Sequence, residues 1–154
     1  MACRRPRARA AAIFLFLLLL LAGGGGSHCL AADTVSVDVG TIYASNEGSS
    51  VDPALNYIHG KLQSMFNYSS YKILDRKRRS LAVGETGDYE LPGRRIMHIS
   101  PLPAKDNKVR LSVNIREGGK NLLSTTIGLS RGGMVLVGGP SHEAGVLILI
   151  ISAD

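Results

Sequence analysis

The chain has 154 residues and a formal net charge of +6, from 18 lysines and arginines against 12 aspartates and glutamates. This length provides one hydrophobic core and excludes two large domains. Four of the 18 basic residues lie before residue 10, and the 14 that remain against 12 acidic residues give a charge of about +2. That balance excludes the basic footprint of a nucleic-acid-binding protein.

The N-terminal segment has the layout of a secretory signal peptide. Four arginines (Arg4, Arg5, Arg7 and Arg9) precede the uncharged run from Ala10 to Ala22, and a stretch of mostly small residues leads to Ala32. A positive region, an apolar region and a small-residue cleavage site predict that residues 1–32 are removed during export. We therefore expect a periplasmic or extracellular protein with no transmembrane span after processing.

Two alternatives to cleavage remain open. A helix that crosses a bilayer needs roughly 20 apolar residues, and this run approaches that length only by including Gly23–Gly26, which are poor helix formers. A retained anchor is therefore the weaker interpretation. Lipidation of Cys29 is the other alternative, although a bacterial lipoprotein would carry a small residue where His28 stands.

Residues 33–154 are expected to form a single small α+β domain. Both cysteines, Cys3 and Cys29, precede this segment, so neither disulfides nor thiolate chemistry is available to it. Packing alone must therefore stabilise the domain.

The first predicted elements are a strand and a helix. Apolar residues at alternate positions predict a strand from Val35 to Tyr43 with one buried face. Asp52 followed by Pro53 is typical of a helix start, and the helix is expected to end near Phe66. Its apolar stripe consists of Leu55, Ile58, Leu62 and Met65.

Short strands separated by turns are predicted for the rest of the chain. They cover residues 71–74, 80–83, 95–99, 109–116, 120–129, 134–137 and 146–151, with a turn at Gly84–Asp88 and a loop at Gly138–Gly145. Short connections favour antiparallel neighbours. The expected fold is α+β, with one N-terminal strand and one amphipathic helix followed by an antiparallel meander of five or six strands.

The last predicted strand is apolar at every position from Val146 to Ile151, so both of its faces need cover. One interpretation is a central strand with the helix on one side and a loop or second sheet on the other. The alternative is a strand completed by a partner chain through Val146, Ile148 and Ile150, because an uncovered strand of this composition is prone to aggregate.

A basic segment consists of Arg76, Lys77, Arg78 and Arg79, and two tyrosines lie upstream of it. Basic and aromatic residues together can hold phosphates, sulfates or an anionic surface, with an affinity that falls steeply with salt. The alternatives are a solvated loop or an edge strand protected by its own charge. In a eukaryote the segment is also a candidate processing site for a dibasic protease.

Signals for catalysis are weak. Gly128–Gly132 matches the pattern around a nucleophilic serine, but a strand is predicted where a helix must follow, and Asp154 comes after His142 in the wrong order. The three histidines of the segment are widely spaced, at His59, His98 and His142. We therefore expect no enzymatic activity, no cofactor and no metal. A small hydrolase using Ser130 or His142 is the least favoured alternative.

Residues 125–139 carry a threonine-bearing strand, a glycine turn, an apolar strand and a Gly-Gly step. This order resembles a segment of bacterial secretins, and the layout of a signal peptide plus one small domain resembles that of many exported envelope proteins of Gram-negative bacteria. The resemblance implies a protein–protein role in the cell envelope, as a small companion of a larger assembly. It assigns no site residue.

The sequence thus predicts an exported, non-enzymatic interaction domain of the cell envelope. We expect it to bind a protein partner, or a second copy of itself, through strand edges, where main-chain hydrogen bonds supply affinity. Binding of a polyanion or anionic surface through Arg76–Arg79 is the alternative.

Overall fold

The computed structural model describes residues 33–154, so the predicted signal peptide and its alternatives lie outside the described residues. This part of the chain forms eight strands and one α-helix, with a short 3-10 helix at Pro53–Leu55. The α-helix, α1, is His59–Phe66. The strands are β1 (Thr34–Ser45), β2 (Ser70–Ala82), β3 (Gly87–Leu91), β4 (Arg95–Leu102), β5 (Lys108–Glu117), β6 (Lys120–Ser130), β7 (Gly133–His142) and β8 (Gly145–Ala153).

The strands form two antiparallel sheets of four. Sheet 1 has the order β2-β1-β8-β7, and sheet 2 has the order β3-β4-β5-β6. The predicted antiparallel arrangement with one helix is confirmed, but the meander of five or six strands is wrong. The chain instead returns at its end to place β8 beside β1 in the middle of sheet 1. Hydrophobic periodicity identifies a strand without specifying its partner, so this pairing was not predicted.

Three strands differ from the prediction. Residues 71–74 and 80–83 belong to one strand, β2, because the charged segment between them continues the pairing with β1. β3 was not predicted as a strand, and it begins inside the predicted turn Gly84–Asp88. β7 extends through most of the predicted loop Gly138–Gly145. All three strands lie at sheet edges. They are therefore less apolar than central strands, and the alternation on which the prediction depended is weak.

The central strands of sheet 1, β1 and β8, are buried on both faces. The first core lies between the two sheets and includes Val37, Met97, Val113 and Leu149. The second lies between sheet 1 and the helical segment and includes Ile42, Leu62, Tyr71, Ile148 and Ile150. β8 pairs with β1 on one side and β7 on the other, and it contributes to both cores. The interpretation of the last strand as central and covered on both faces is confirmed.

The helical segment starts as predicted. The Asp52 carboxylate accepts a hydrogen bond from the backbone N–H of Ala54 at 2.9 Å, which confirms the predicted cap. The segment is not one continuous helix, however, because α1 begins only at His59. Asn56, Tyr57 and Ile58 separate it from the 3-10 helix, in agreement with the modest helix propensity of these residue types.

The apolar stripe of the helical segment is narrower than predicted. Leu55, Ile58 and Leu62 are buried against sheet 1, whereas Met65 is 57% exposed. The helix ends at Asn67, whose backbone is left-handed at φ 46°. In the described part of the chain, no helix is both long enough and apolar enough to cross a membrane.

Candidate binding surfaces at the sheet edges

Each sheet has two outer strands, and the chain connects them in pairs. β2 and β7 are the outer strands of sheet 1, and β3 and β6 are those of sheet 2. A short turn joins β2 to β3, and another joins β6 to β7. One lateral side of the molecule therefore carries β2 and β3, and the other carries β6 and β7.

The basic segment lies on β2, so it is an edge strand and not a loop. Arg76 and Arg78 both bind the carboxylate of Asp38 on β1. The distance is 3.0 Å from Arg76 Nε to Asp38 Oδ1 and 2.9 Å from Arg78 Nη2 to Asp38 Oδ2. The side chain of Asp38 is 10% exposed, against 53% for Arg76 and 70% for Arg78. A nearly buried carboxylate thus holds two guanidinium groups that are more than half exposed.

The two arginines keep Asp38 ionised. Burial raises the pKa of its carboxyl group, but the hydrogen bonds and positive charges of Arg76 and Arg78 outweigh burial. The pKa of Asp38 is therefore lowered from its ordinary value. The same carboxylate joins β1 to β2.

The other two cations of the basic segment are also engaged. Lys77 Nζ lies 3.2 Å from Asp75 Oδ2. The guanidinium of Arg79 lies 5.7 Å from the ring centroid of Tyr89 on β3, in a cation–π contact that links the two sheets. Two carboxylates therefore balance two of the four cations, and the segment carries about half the charge that the sequence suggests.

The predicted binding residues of the last strand lie in the interior. Ile148 and Ile150 are buried, and Val146 is partly buried and packs with them. Because β8 is paired on both sides, its backbone groups are already bonded to β1 and β7. β8 offers no free edge to a partner strand.

The edge of β6 is a surface that the sequence analysis did not single out. β6 has 11 residues, and beyond Lys120 none of them is charged. Its partner is β5, with Leu111 opposite Ile127 and Val113 opposite Thr125. Within residues 33–154 no strand pairs with its other side. The uncharged stretch from residue 121 to residue 130 is visible in the sequence, but it does not show that this strand lies at an edge.

The register shows which backbone groups of β6 face outward. Arg131 donates its backbone N–H to the Asn107 carbonyl at 3.1 Å. These two residues are the neighbours of the pair Lys108 and Ser130, so they form the adjacent, hydrogen-bonded pair of the same ladder. Bonded and non-bonded pairs alternate along an antiparallel ladder. From Leu123 to Leu129, the odd-numbered residues of β6 therefore bond to β5. Even-numbered residues direct their N–H and C=O groups to the open edge, namely Ser124, Thr126 and Gly128.

The other outer strands are better protected against a partner strand. β2 carries the basic segment, and β3 has only five residues. β7 contains Gly138, Gly139 and Pro140, and its pairing with β8 is irregular between Gly138 and Ser141. Charge, shortness, proline and irregular pairing are the devices that keep sheet edges from adding strands. Among the described strands, β6 combines length and lack of charge at its centre with a pairing that is regular from Leu123 to Ser130 and shifts only near Leu122.

The residues considered for catalysis do not come together. His98 Nδ1 lies 2.6 Å from Asp88 Oδ1 on the outer face of sheet 2. His142 contacts Glu143 at 3.9 Å and the Tyr43 ring edge-on. Ser130 ends β6, so the Gly128–Gly132 segment runs from strand through turn to strand, as predicted. The described residues contain no group of three or more His, Cys, Asp or Glu side chains that could hold a metal ion.

Comparison with known proteins gives no family. No protein-family model matches the sequence, and no curated protein is similar to it. Among solved structures, the chain is similar to the T2SS secretin XcpQ from Pseudomonas aeruginosa, with a TM-score of 0.34 and 9% sequence identity over 79% of this chain. The chain spans 56% of that secretin chain. A TM-score at this level does not establish a shared fold, and nothing about function follows from it.

Proposed function

We propose that this protein is an exported, non-enzymatic interaction domain of the cell envelope that binds a protein partner by strand addition at the edge of β6. The observation that carries the proposal is the open side of this strand. It presents the outward N–H and C=O groups of Ser124, Thr126 and Gly128, with no charged side chain between residues 121 and 130. Added strands gain main-chain hydrogen bonds at such an edge.

Export is supported by the N-terminal sequence. Arginines, an apolar run and a small-residue stretch precede Asp33, and β1 begins at Thr34. N-terminal sequencing of the protein from its producer should therefore begin near Ala32 or Asp33. A cytosolic protein that begins at Met1 or Ala2 would contradict export.

Photo-crosslinking in the producing cells tests the site. A photoreactive amino acid at Ser124 should give an adduct of defined mass, because the residue is exposed on the proposed strand. The matched control is Ser80, which is exposed on the charged outer strand β2 and should give none.

A second substitution tests the mode of binding. Thr126→Pro removes an outward N–H and should abolish the Ser124 adduct, whereas Thr126→Val keeps this donor and should preserve it. An adduct of equal yield from Ser80, or one that survives Thr126→Pro, would contradict strand addition at β6.

Binding of an anionic surface through Arg76–Arg79 remains the alternative proposal. It has less support, because Asp38 and Asp75 balance two of the four cations. Binding to anionic vesicles that weakens steeply with added salt and is lost in Arg78→Ala would favour it.

A further inference from the structure

The central part of β6 is symmetric in residue type about Thr126. Its sequence from residue 123 to residue 129 is Leu-Ser-Thr-Thr-Ile-Gly-Leu. Leucines stand three positions to either side of Thr126, small residues stand two positions away, and β-branched residues are its direct neighbours. A strand with this pattern presents side chains of similar size and shape when it is read from either end.

Such a pattern suits an antiparallel pairing of two identical strands about a two-fold axis. Thr126 would then lie opposite Thr126 of the second copy, and Ser124 would lie opposite Gly128. These are the residues whose backbone groups face the open edge, so both copies supply donors and acceptors at matching positions. A two-fold interface requires this self-complementarity.

The side chains are compatible with this pairing on both faces. Leu129 is buried in the core between the sheets, and Leu123 and Ile127 pack against that core. In the pairing, Leu123 meets Leu129 of the second copy, so the apolar face of sheet 2 continues across the axis. Lys120 falls opposite Gly132, so no like charges oppose one another directly.

We propose, on the basis of the function proposed above, that the partner at the β6 edge is a second copy of this chain. The two copies pair β6 with β6 about Thr126. Sheet 2 of one copy and sheet 2 of the other then form one sheet of eight strands. The proposed partner strand is therefore β6 of the second copy, in the register that places Thr126 opposite Thr126.

Disulfide trapping tests the register. The test uses the full-length chain with Cys3→Ser and Cys29→Ser, so that each introduced cysteine is the only thiol. The Cα atoms of a bonded cross-strand pair are about 5.5 Å apart, within the range of about 4.4–6.8 Å that a disulfide spans. Thr126→Cys should therefore convert most of the protein to a disulfide-linked dimer under mild oxidation.

Matched positions distinguish this register from random collision. Ser124→Cys alone should not form the dimer, because the two copies of residue 124 are offset by four residues, or about 14 Å along the strand. Gly128→Cys alone should not form it either, but a mixture of Ser124→Cys with Gly128→Cys should. Gly128 accepts a side chain, since a Cβ there would meet nothing within 4 Å.

The outcomes separate this inference from the proposed function. Ser80→Cys, on the outer strand β2, serves as a collision control. Equal yields of disulfide-linked dimer from Thr126→Cys, Ser124→Cys and Ser80→Cys would indicate random collision and overturn the two-fold pairing. Failure of Thr126→Cys to dimerise, together with a Ser124 photo-adduct whose mass exceeds one chain by the mass of a different protein, would overturn self-pairing and leave strand addition intact. Failure of both experiments would overturn both proposals.

Discussion

At the scale of single residues, Asp38 joins β1 to β2 and controls the charge of the basic segment. Its carboxylate is nearly buried and accepts hydrogen bonds from Arg76 and Arg78. Hydrogen bonds to charged groups contribute about 1.5–3 kcal/mol. Asp38→Asn should therefore lower the free energy of unfolding at pH 7 by about 2 kcal/mol, as measured by urea denaturation.

The effect of Asp38→Asn should depend on pH. The pKa of Asp38 is lowered in the folded protein, so its contribution is fully present above the unfolded pKa of about 3.9 and is lost as the pH falls through the folded value. The difference between wild type and Asp38→Asn should thus shrink below about pH 4. Asp75→Asn, at a pair that is about half exposed, should change stability by less than about 1 kcal/mol. A difference that stays constant from pH 7 to pH 3 would contradict this role.

The residues of the basic segment were predictable, but their partner was not. Four adjacent cations are visible in the sequence, whereas Asp38 lies 38 positions before Arg76. Only the register of β1 with β2 brings them together, with Asp38 opposite Arg78. Composition therefore predicted the positive charge of the segment, but it did not show that Asp38 neutralises part of that charge.

At the scale of elements, the helical segment stabilises sheet 1 through a few buried side chains. Leu62 is fully buried, whereas Met65 on the same helix is 57% exposed. Leu62→Ala should lower the free energy of unfolding by about 3 kcal/mol, because it leaves a cavity against sheet 1. Met65→Ala should change it by less than about 0.5 kcal/mol. Equal losses in the two variants, measured by urea denaturation, would show that the helix does not pack as described.

Element type was more predictable than element exposure. The alternation of β1 and β5 and the spacing of Leu55, Ile58 and Leu62 were sufficient to identify strands and a helix, and β6 was identified as the return strand of a hairpin. The prediction of a buried Met65 was wrong, because the side chain, in the last turn of α1, is 57% exposed. The β6 edge was missed because openness is a property of the sheet order, which no local pattern contains.

At the scale of the whole molecule, the first and last described strands meet in the middle of sheet 1. β8 pairs with β1 and β7, so sheet 1 cannot form completely during folding until β8 has paired with both of them. The same strand contributes Leu147, Leu149 and Ile151 to the core between the sheets. Stability therefore depends on contacts between residues that are distant in sequence, which is typical of slowly folding β-proteins.

Removal of β8 should unfold the whole domain. A chain of residues 33–145 loses the central strand of sheet 1, exposes the inner sides of β1 and β7, and leaves both cores unfilled. It should show no cooperative thermal transition by circular dichroism and should aggregate, because unpaired strand edges are exposed. The matched control, residues 33–154, should melt cooperatively. A cooperative transition in the 33–145 chain would show that β8 is peripheral, and it would contradict the strand order of sheet 1.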